Sequence, residues 1–142
     1  MADYIDLLES KTSTLEKVLL MTQETIFTGE ESKALQEADA YSTLYERRDN
    51  LLARIKKADV ALAALGQPPA EIKGRIAEII DRHKSLAGQI VELDKVNNKV
   101  YEKIRDFLQK DLKAVRQNRN INEKYGDDFD DMYYSAYFDK KN

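Results

Sequence analysis

Leu65-Gly66-Gln67-Pro68-Pro69-Ala70 decides the fold, because it holds both prolines and one of the five glycines of the 142-residue chain, between two long runs of helical periodicity. Gly66 suits the left-handed conformation that closes a helix. The second proline suits a first helical turn, where no amide hydrogen is needed.

Toward the N-terminus, Leu44, Arg48, Leu51, Ile55, Ala58, Leu62 and Leu65 repeat at steps of four and three. Leu35, Ala38, Tyr41, Tyr45 and Leu52 widen that face beyond a two-stranded seam, which favours a bundle. Toward the C-terminus, Ile72, Ile76, Ile79, His83, Leu86, Ile90, Leu93, Asn97, Val100, Ile104 and Phe107 continue the same spacing. A helix from Ala70 to about Arg116 would be about 70 Å long and needs a partner along most of its face. The helix ending at Leu65 supplies one through the short turn.

A thinner stripe (Tyr4, Leu7, Leu8, Leu15, Val18, Leu19, Met21, Ile26, Phe27) predicts a first helix. Thr28-Gly29-Glu30-Glu31 then predicts a break and restart, with Thr28 and Glu31 forming a capping box. A continuous helix through Gly29, at a cost of about 1 kcal/mol, is the alternative. The expected fold is all-α, an elongated antiparallel helical hairpin with an additional N-terminal helix. Its bundle domain occupies 1–118, with helices over about 3–27, 30–65 and 69–117. The second helix covers roughly 51 Å, so either the third helix near Val100 to Val115 or the thin first helix is expected to be incompletely buried. A partner helix or a second copy would cover it, and frayed bundle ends are the plain alternative.

Residues 119–142 read as a flexible tail in which acidic and aromatic residues alternate. Half of the chain's 8 Tyr and 4 Phe fall in its last 18 positions. A disordered tail, a segment folded back over the bundle and a docking peptide all fit that composition.

Composition limits the chemistry. The net charge of −3 and the lack of a concentrated basic block argue against a strong nucleic-acid footprint, and Lys56-Lys57, Arg116 and Arg119 read as solvated charge. With no Cys and 1 His, thiol chemistry and ordinary zinc clusters are absent. A di-metal bundle site needs Glu-x-x-His pairs, and Ile80 stands three residues before His83, while Glu71, Glu78, Glu92 and Glu102 lie off the apolar stripe. No metal, no cofactor and no catalytic residues are therefore expected. His83 reads as a packed histidine kept neutral by burial, and Asn97 as a polar register position. The first six residues lack a basic start and an apolar core, and no run of 18 apolar residues exists, so a protein of the cytoplasm without stable membrane insertion is the expectation.

Ile26-Phe27-Thr28-Gly29-Glu30-Glu31, Ala34-Leu35, Tyr45-Glu46-Arg47-Arg48-Asp49 and Leu51-Leu52 resemble the N-terminal half of the FlgN-like flagellar export chaperones. Leu93-Asp94-Lys95-Val96-Asn97-Asn98, Tyr125-Gly126 and Tyr137-Phe138-Asp139-Lys140-Lys141 extend the resemblance over nearly the whole chain. The resemblance implies a non-enzymatic type III export chaperone of the cytoplasm. Such a protein binds the C-terminal helical region of hook–filament junction proteins, prevents their premature assembly and aids delivery to the export apparatus. Its partners would be hook-associated flagellar proteins and that apparatus. On this account Val100, Ile104, Phe107, Leu108, Leu112 and Val115 are the expected client contacts, with Tyr133, Tyr134, Tyr137 and Phe138 in the docking tail. Another flagellar or type III secretion client, or a structural coiled-coil adaptor, are the rival readings, and a homodimer is the alternative cover for the third helix.

Overall fold

The computed structural model describes residues 3–121, with side chains to 117. Three helices account for nearly all of it: α1 (Tyr4–Glu24), α2 (Ala34–Ala64) and α3 (Lys73–Ile121), with single 3-10 turns at Glu31–Lys33 and Ala70–Ile72 leading into α2 and α3. The described residues are 90% helical and contain no strand, an all-α helical bundle as the periodicity implies.

Asp3 starts α1 by accepting the Asp6 amide at 2.9 Å, a side-chain cap on an otherwise unpaired donor. The helix stops at Glu24, short of the Phe27 expected from the apolar stripe. Thr22 and Thr25 hydroxyls bond back to the carbonyls of Val18 and Met21 at 2.7 and 2.9 Å, and Thr25 itself turns to an extended ψ of 104°. Thr12 and Thr14 make the same bond within the helix, so these hydroxyls do not by themselves end it. Gly29, at φ 72°, then makes the break.

Half of the expected capping box is present: the Thr28 hydroxyl accepts the Glu30 amide at 3.1 Å, but Glu31 does not reach back to Thr28. Instead Glu37, from the next turn of the helix, reaches back to the Thr28 amide at 2.5 Å, the Thr28 hydroxyl at 2.6 Å and the Gly29 amide at 3.2 Å. At the other turn Gly66 has φ 74° and Pro69 sits just ahead of the 3-10 turn, one residue before the position expected for it. The third helix runs to Ile121, a turn beyond the expected 117, and the tail from 122 on lies outside the described residues.

The chain divides into two compact units, Met1–Thr25 with Leu44–Lys95, and Ile26–Thr43 with Val96–Asn142. In the first unit three helical segments surround Val18, Leu19, Leu51, Leu86 and Ile90, with Leu15, Met21 and Leu93 packed against them. The second has the start of α2 against the later part of α3, around Ala34, Ala38, Ile104 and Leu108. Full burial of a leucine or isoleucine such as Leu86, Ile104 or Leu108 contributes about 2–3 kcal/mol.

Candidate docking surface

The second unit is built on a small-to-large match. Ala34 and Ala38, one helical turn apart, present no bulk to α3, so Ile104 and Leu108 pack directly onto them and both are 0% exposed. Residues 26–30 are irregular and put Phe27 against the same cluster. Phe27 meets the Tyr41 ring at 5.6 Å in a tilted contact, and Tyr41 stacks on Tyr101 at 4.1 Å. The Tyr41 hydroxyl donates to Asn98. Val100, Tyr101 and Phe107 form the half-buried margin of this cluster.

These positions correct the expected open groove. Of the six residues expected to meet a client, Ile104, Leu108 and Leu112 are core, at 0%, 0% and 3% exposure. Val100, Phe107 and Val115 remain partly exposed. Helix lengths alone leave this stretch open, but alanines at 34 and 38 admit a close approach, and Phe27, outside the helix, supplies cover. Ile26 at 79% and Leu35 at 39% are exposed on the same unit, although their spacing places both on helical core stripes. Tyr133, Tyr134, Tyr137 and Phe138 lie outside the described residues.

Glu37 went unrecognised, although its spacing from Ala34, Ala38 and Tyr41 places it on the buried face; it is 6% exposed. Its carboxylate gathers the amides of residues 28 and 29 and the Thr28 hydroxyl, so it holds the irregular segment that carries Phe27. Replacing Glu37 with alanine leaves the buried Gly29 amide and the part-buried Thr28 donors without their acceptor and is expected to lower the unfolding free energy by about 1–3 kcal/mol. Glutamine, which keeps one acceptor oxygen, is expected to lose less. Urea unfolding gives the difference, and amide exchange at Thr28 and Gly29 shows whether the clamp was the cause.

The first unit carries its polar groups as ties between helices. Arg48 donates to both oxygens of Asp94, at 2.6 and 2.9 Å, and Tyr45 donates to Asp94 at 3.0 Å while its ring lies 4.6 Å from the guanidinium. Burial works against the Arg48 charge, but the Asp94 hydrogen bonds and charge, with Tyr45, more than offset it and leave the guanidinium above its ordinary pKa. Lys11 of α1 pairs with Asp59 of α2 at 2.6 Å. Next to it, His83 Nε2 lies 2.7 Å from the Thr12 hydroxyl and 3.1 Å from the Leu8 carbonyl.

The Thr12 hydroxyl also donates to the Leu8 carbonyl at 3.1 Å, a back-bond within the helix. With Nε2 protonated, His83 donates into this same pair and ties α3 to α1. Burial, with Lys11 nearby, lowers the His83 pKa, against the opposing pull of the Leu8 carbonyl and Asp59. The folded chain therefore takes up its proton at lower pH than the unfolded chain, whose histidine titrates near about 6.5. Stability from this group is complete above that pH and is lost as pH falls through it toward the folded value. Subtracting the stability–pH curve of His83→Gln from that of the parent should give a difference that declines from pH 7.5 to 5. A constant difference would exclude the effect.

Two surface hollows lie in the first unit. One of about 440 Å³ is lined by Tyr4, Ile5, Leu65, Pro69 and Ile72 with Asp3 and Gln67. Its carboxylate caps α1, and Tyr4 donates to the Gly66 carbonyl. The other, of about 300 Å³, lies among Glu9, Thr12, Ser13, Glu16, Glu78, Ile79 and Arg82, where Glu16 pairs with Arg82 at 3.7 Å and Glu9 with Arg75 at 2.7 Å. Among the described residues no cluster of His, Cys, Asp or Glu could hold a metal ion, and no helix is long and apolar enough to cross a membrane. No family model, curated protein or solved structure matches the chain.

Proposed function

We propose that this chain is a non-enzymatic export chaperone of the bacterial cytoplasm, which holds the C-terminal helical region of a hook–filament junction protein and delivers it to the type III export apparatus. The resemblance to FlgN-like chaperones supplies the client class. One structural observation supports it most: the second unit is a two-helix layer whose margin, Phe27, Val100 and Phe107, is apolar and only half buried, while Ile26, Leu35 and Val115 of the same unit are exposed or partly exposed. An amphipathic client helix laid along that margin completes a three-helix arrangement and buries its own aggregation-prone face. The half-buried Val100, Phe107 and Val115 make contact; Ile104, Leu108 and Leu112 shape the surface from beneath.

Calorimetric titration with the C-terminal segments of the hook–filament junction proteins from the same genome tests this reading, with a filament-cap segment for comparison. The expected result is saturable binding of a junction segment, weakened at least about tenfold, or 1.4 kcal/mol, by Phe107→Asp and Val100→Asp in chains of unchanged helicity. Glu102→Gln, exposed on the same helix, should bind as the parent does. Absence of binding, or equal binding by all variants, would remove the proposal. Tight binding of the cap segment alone would move it to another client.

A further inference from the structure

Val96, Val100 and Phe107 on α3 are each followed, three residues later, by a lysine: Lys99, Lys103 and Lys110. Both series step by four and then by seven. Because positions i and i+3 are neighbours on a helix surface, the two series run as parallel lines along one flank, one apolar and one cationic. The apolar line is incompletely covered, with Val96 61% exposed and Val100 and Phe107 half buried. The three lysines are exposed. From Lys99 to Lys110 the cationic line extends about 16 Å, or three turns of helix.

Among the described residues the ion pairs are Lys11–Asp59, Lys33–Glu30, Arg48–Asp94, Arg75–Glu9, Arg82–Glu16 and Lys95–Glu92, and none engages these lysines. Asp106, three residues after Lys103, stands beside the line, and a single carboxylate leaves it cationic. Lys103 is also held in place. A β-carbon placed on Gly29 would meet Val100 Cγ1 at 3.3 Å and Lys103 Cδ at 3.5 Å, so the irregular segment 26–30 rests on the lysine's aliphatic stem while its ammonium stays in water. A side chain held in this way loses less freedom when a partner's charge arrives.

We propose that this flank of α3 recognises a partner helix by two lines at once: an apolar stripe seated on Val96, Val100 and Phe107, and a flanking row of Asp or Glu paired with Lys99, Lys103 and Lys110. The inference rests on the reading that this margin takes a client helix, and it adds the chemistry by which the site chooses among helices. Apolar contact alone accepts any amphipathic helix. Lysines in register beside it favour an acidic flank and repel a basic one, which turns adhesion into specificity. A polyanion such as a nucleic acid offers nothing to the apolar line and meets a chain whose net charge is −3. Single exposed ion pairs are weak, but three act together on a helix already seated by its apolar face.

Titration of the full chain with two synthetic helical peptides of about 20 residues, or about 30 Å, tests it. The peptides share one leucine stripe and carry either glutamate or lysine at the positions flanking it. At low salt the glutamate peptide should bind at least about tenfold more tightly, against the pull of the chain's own net charge. The difference should vanish at about 1 M salt, where the screening length falls to about 3 Å. Lys99→Glu with Lys103→Glu and Lys110→Glu should reverse the order. Lys17→Glu with Lys56→Glu and Lys57→Glu, at exposed positions of the first unit, changes the net charge equally and should keep the parent's order. Equal binding of the two peptides, a preference for the lysine peptide, or no binding of either would overturn the proposal. So would reversal in the control variant, or an oligonucleotide that binds as tightly as the glutamate peptide. Junction segments are titrated separately. Their failure with the glutamate preference intact removes the client reading alone, and their binding without any charge preference removes this inference alone.

Discussion

Leu108→Ala is expected to lower the unfolding free energy by about 3 kcal/mol, within the range of about 2–5 kcal/mol for truncating a wholly buried leucine. Leu108 is 0% exposed and packs with Ile104, Ala34 and Ala38. The alanines opposite it carry only a methyl group, which cannot rotate to refill the space, so the cavity stays open. At Phe107, one residue away and only half buried, truncation to alanine should cost less, because part of the ring already faces water. Urea unfolding followed by circular dichroism measures both. Equal losses at 107 and 108 would mean that α2 and α3 do not pair through this face as described.

Arg48→Ala is expected to cost about 3–5 kcal/mol, the range for removing one partner of a buried ion pair. The Arg48 side chain is 8% exposed and that of Asp94 23%, and the substitution leaves the carboxylate with Tyr45 as its remaining side-chain donor. The cost should fall at the lower end of that range, about 3 kcal/mol, because Asp94 retains some access to water. Arg48 Nε has no hydrogen-bond partner among the described residues, so the pair is imperfectly satisfied. Replacing both groups with apolar residues, Arg48→Met with Asp94→Leu, should therefore recover most of the loss. A double variant as unstable as the single one would show that the pair is needed for more than charge balance.

Much of this architecture can be read from spacing alone. The Gly66 to Pro69 turn, the break at Gly29 and the stripes meeting at Leu51, Leu86 and Ile90 follow from helical periodicity and from the two residues that punctuate it. What could not be read depends on distances between elements. The thin stripe of α1 continues through Ile26 and Phe27, yet the helix ends at Glu24, and Glu37 holds the Thr28 and Gly29 amides of the irregular segment that follows. Arg48 was visible as a charge on a core stripe, but no spacing within one helix identifies Asp94 as its partner. The candidate surface suffered most. Val100, Ile104, Phe107, Leu108, Leu112 and Val115 share one periodic face, and only the packing of Ala34, Ala38 and Phe27 separates the residues left at the margin from those beneath it.

The central claim is that a client helix lies along the margin of the second unit. Amide shift mapping of the 15N-labelled full chain, titrated with the C-terminal segment of a hook–filament junction protein, tests it most directly. The account predicts that the largest changes fall at Phe27, Leu35, Val100, Phe107 and Val115, with those around Leu19, Leu51 and Leu86 nearly unmoved. Changes centred on α1 and on residues 73–95, with the margin unaffected, would contradict it.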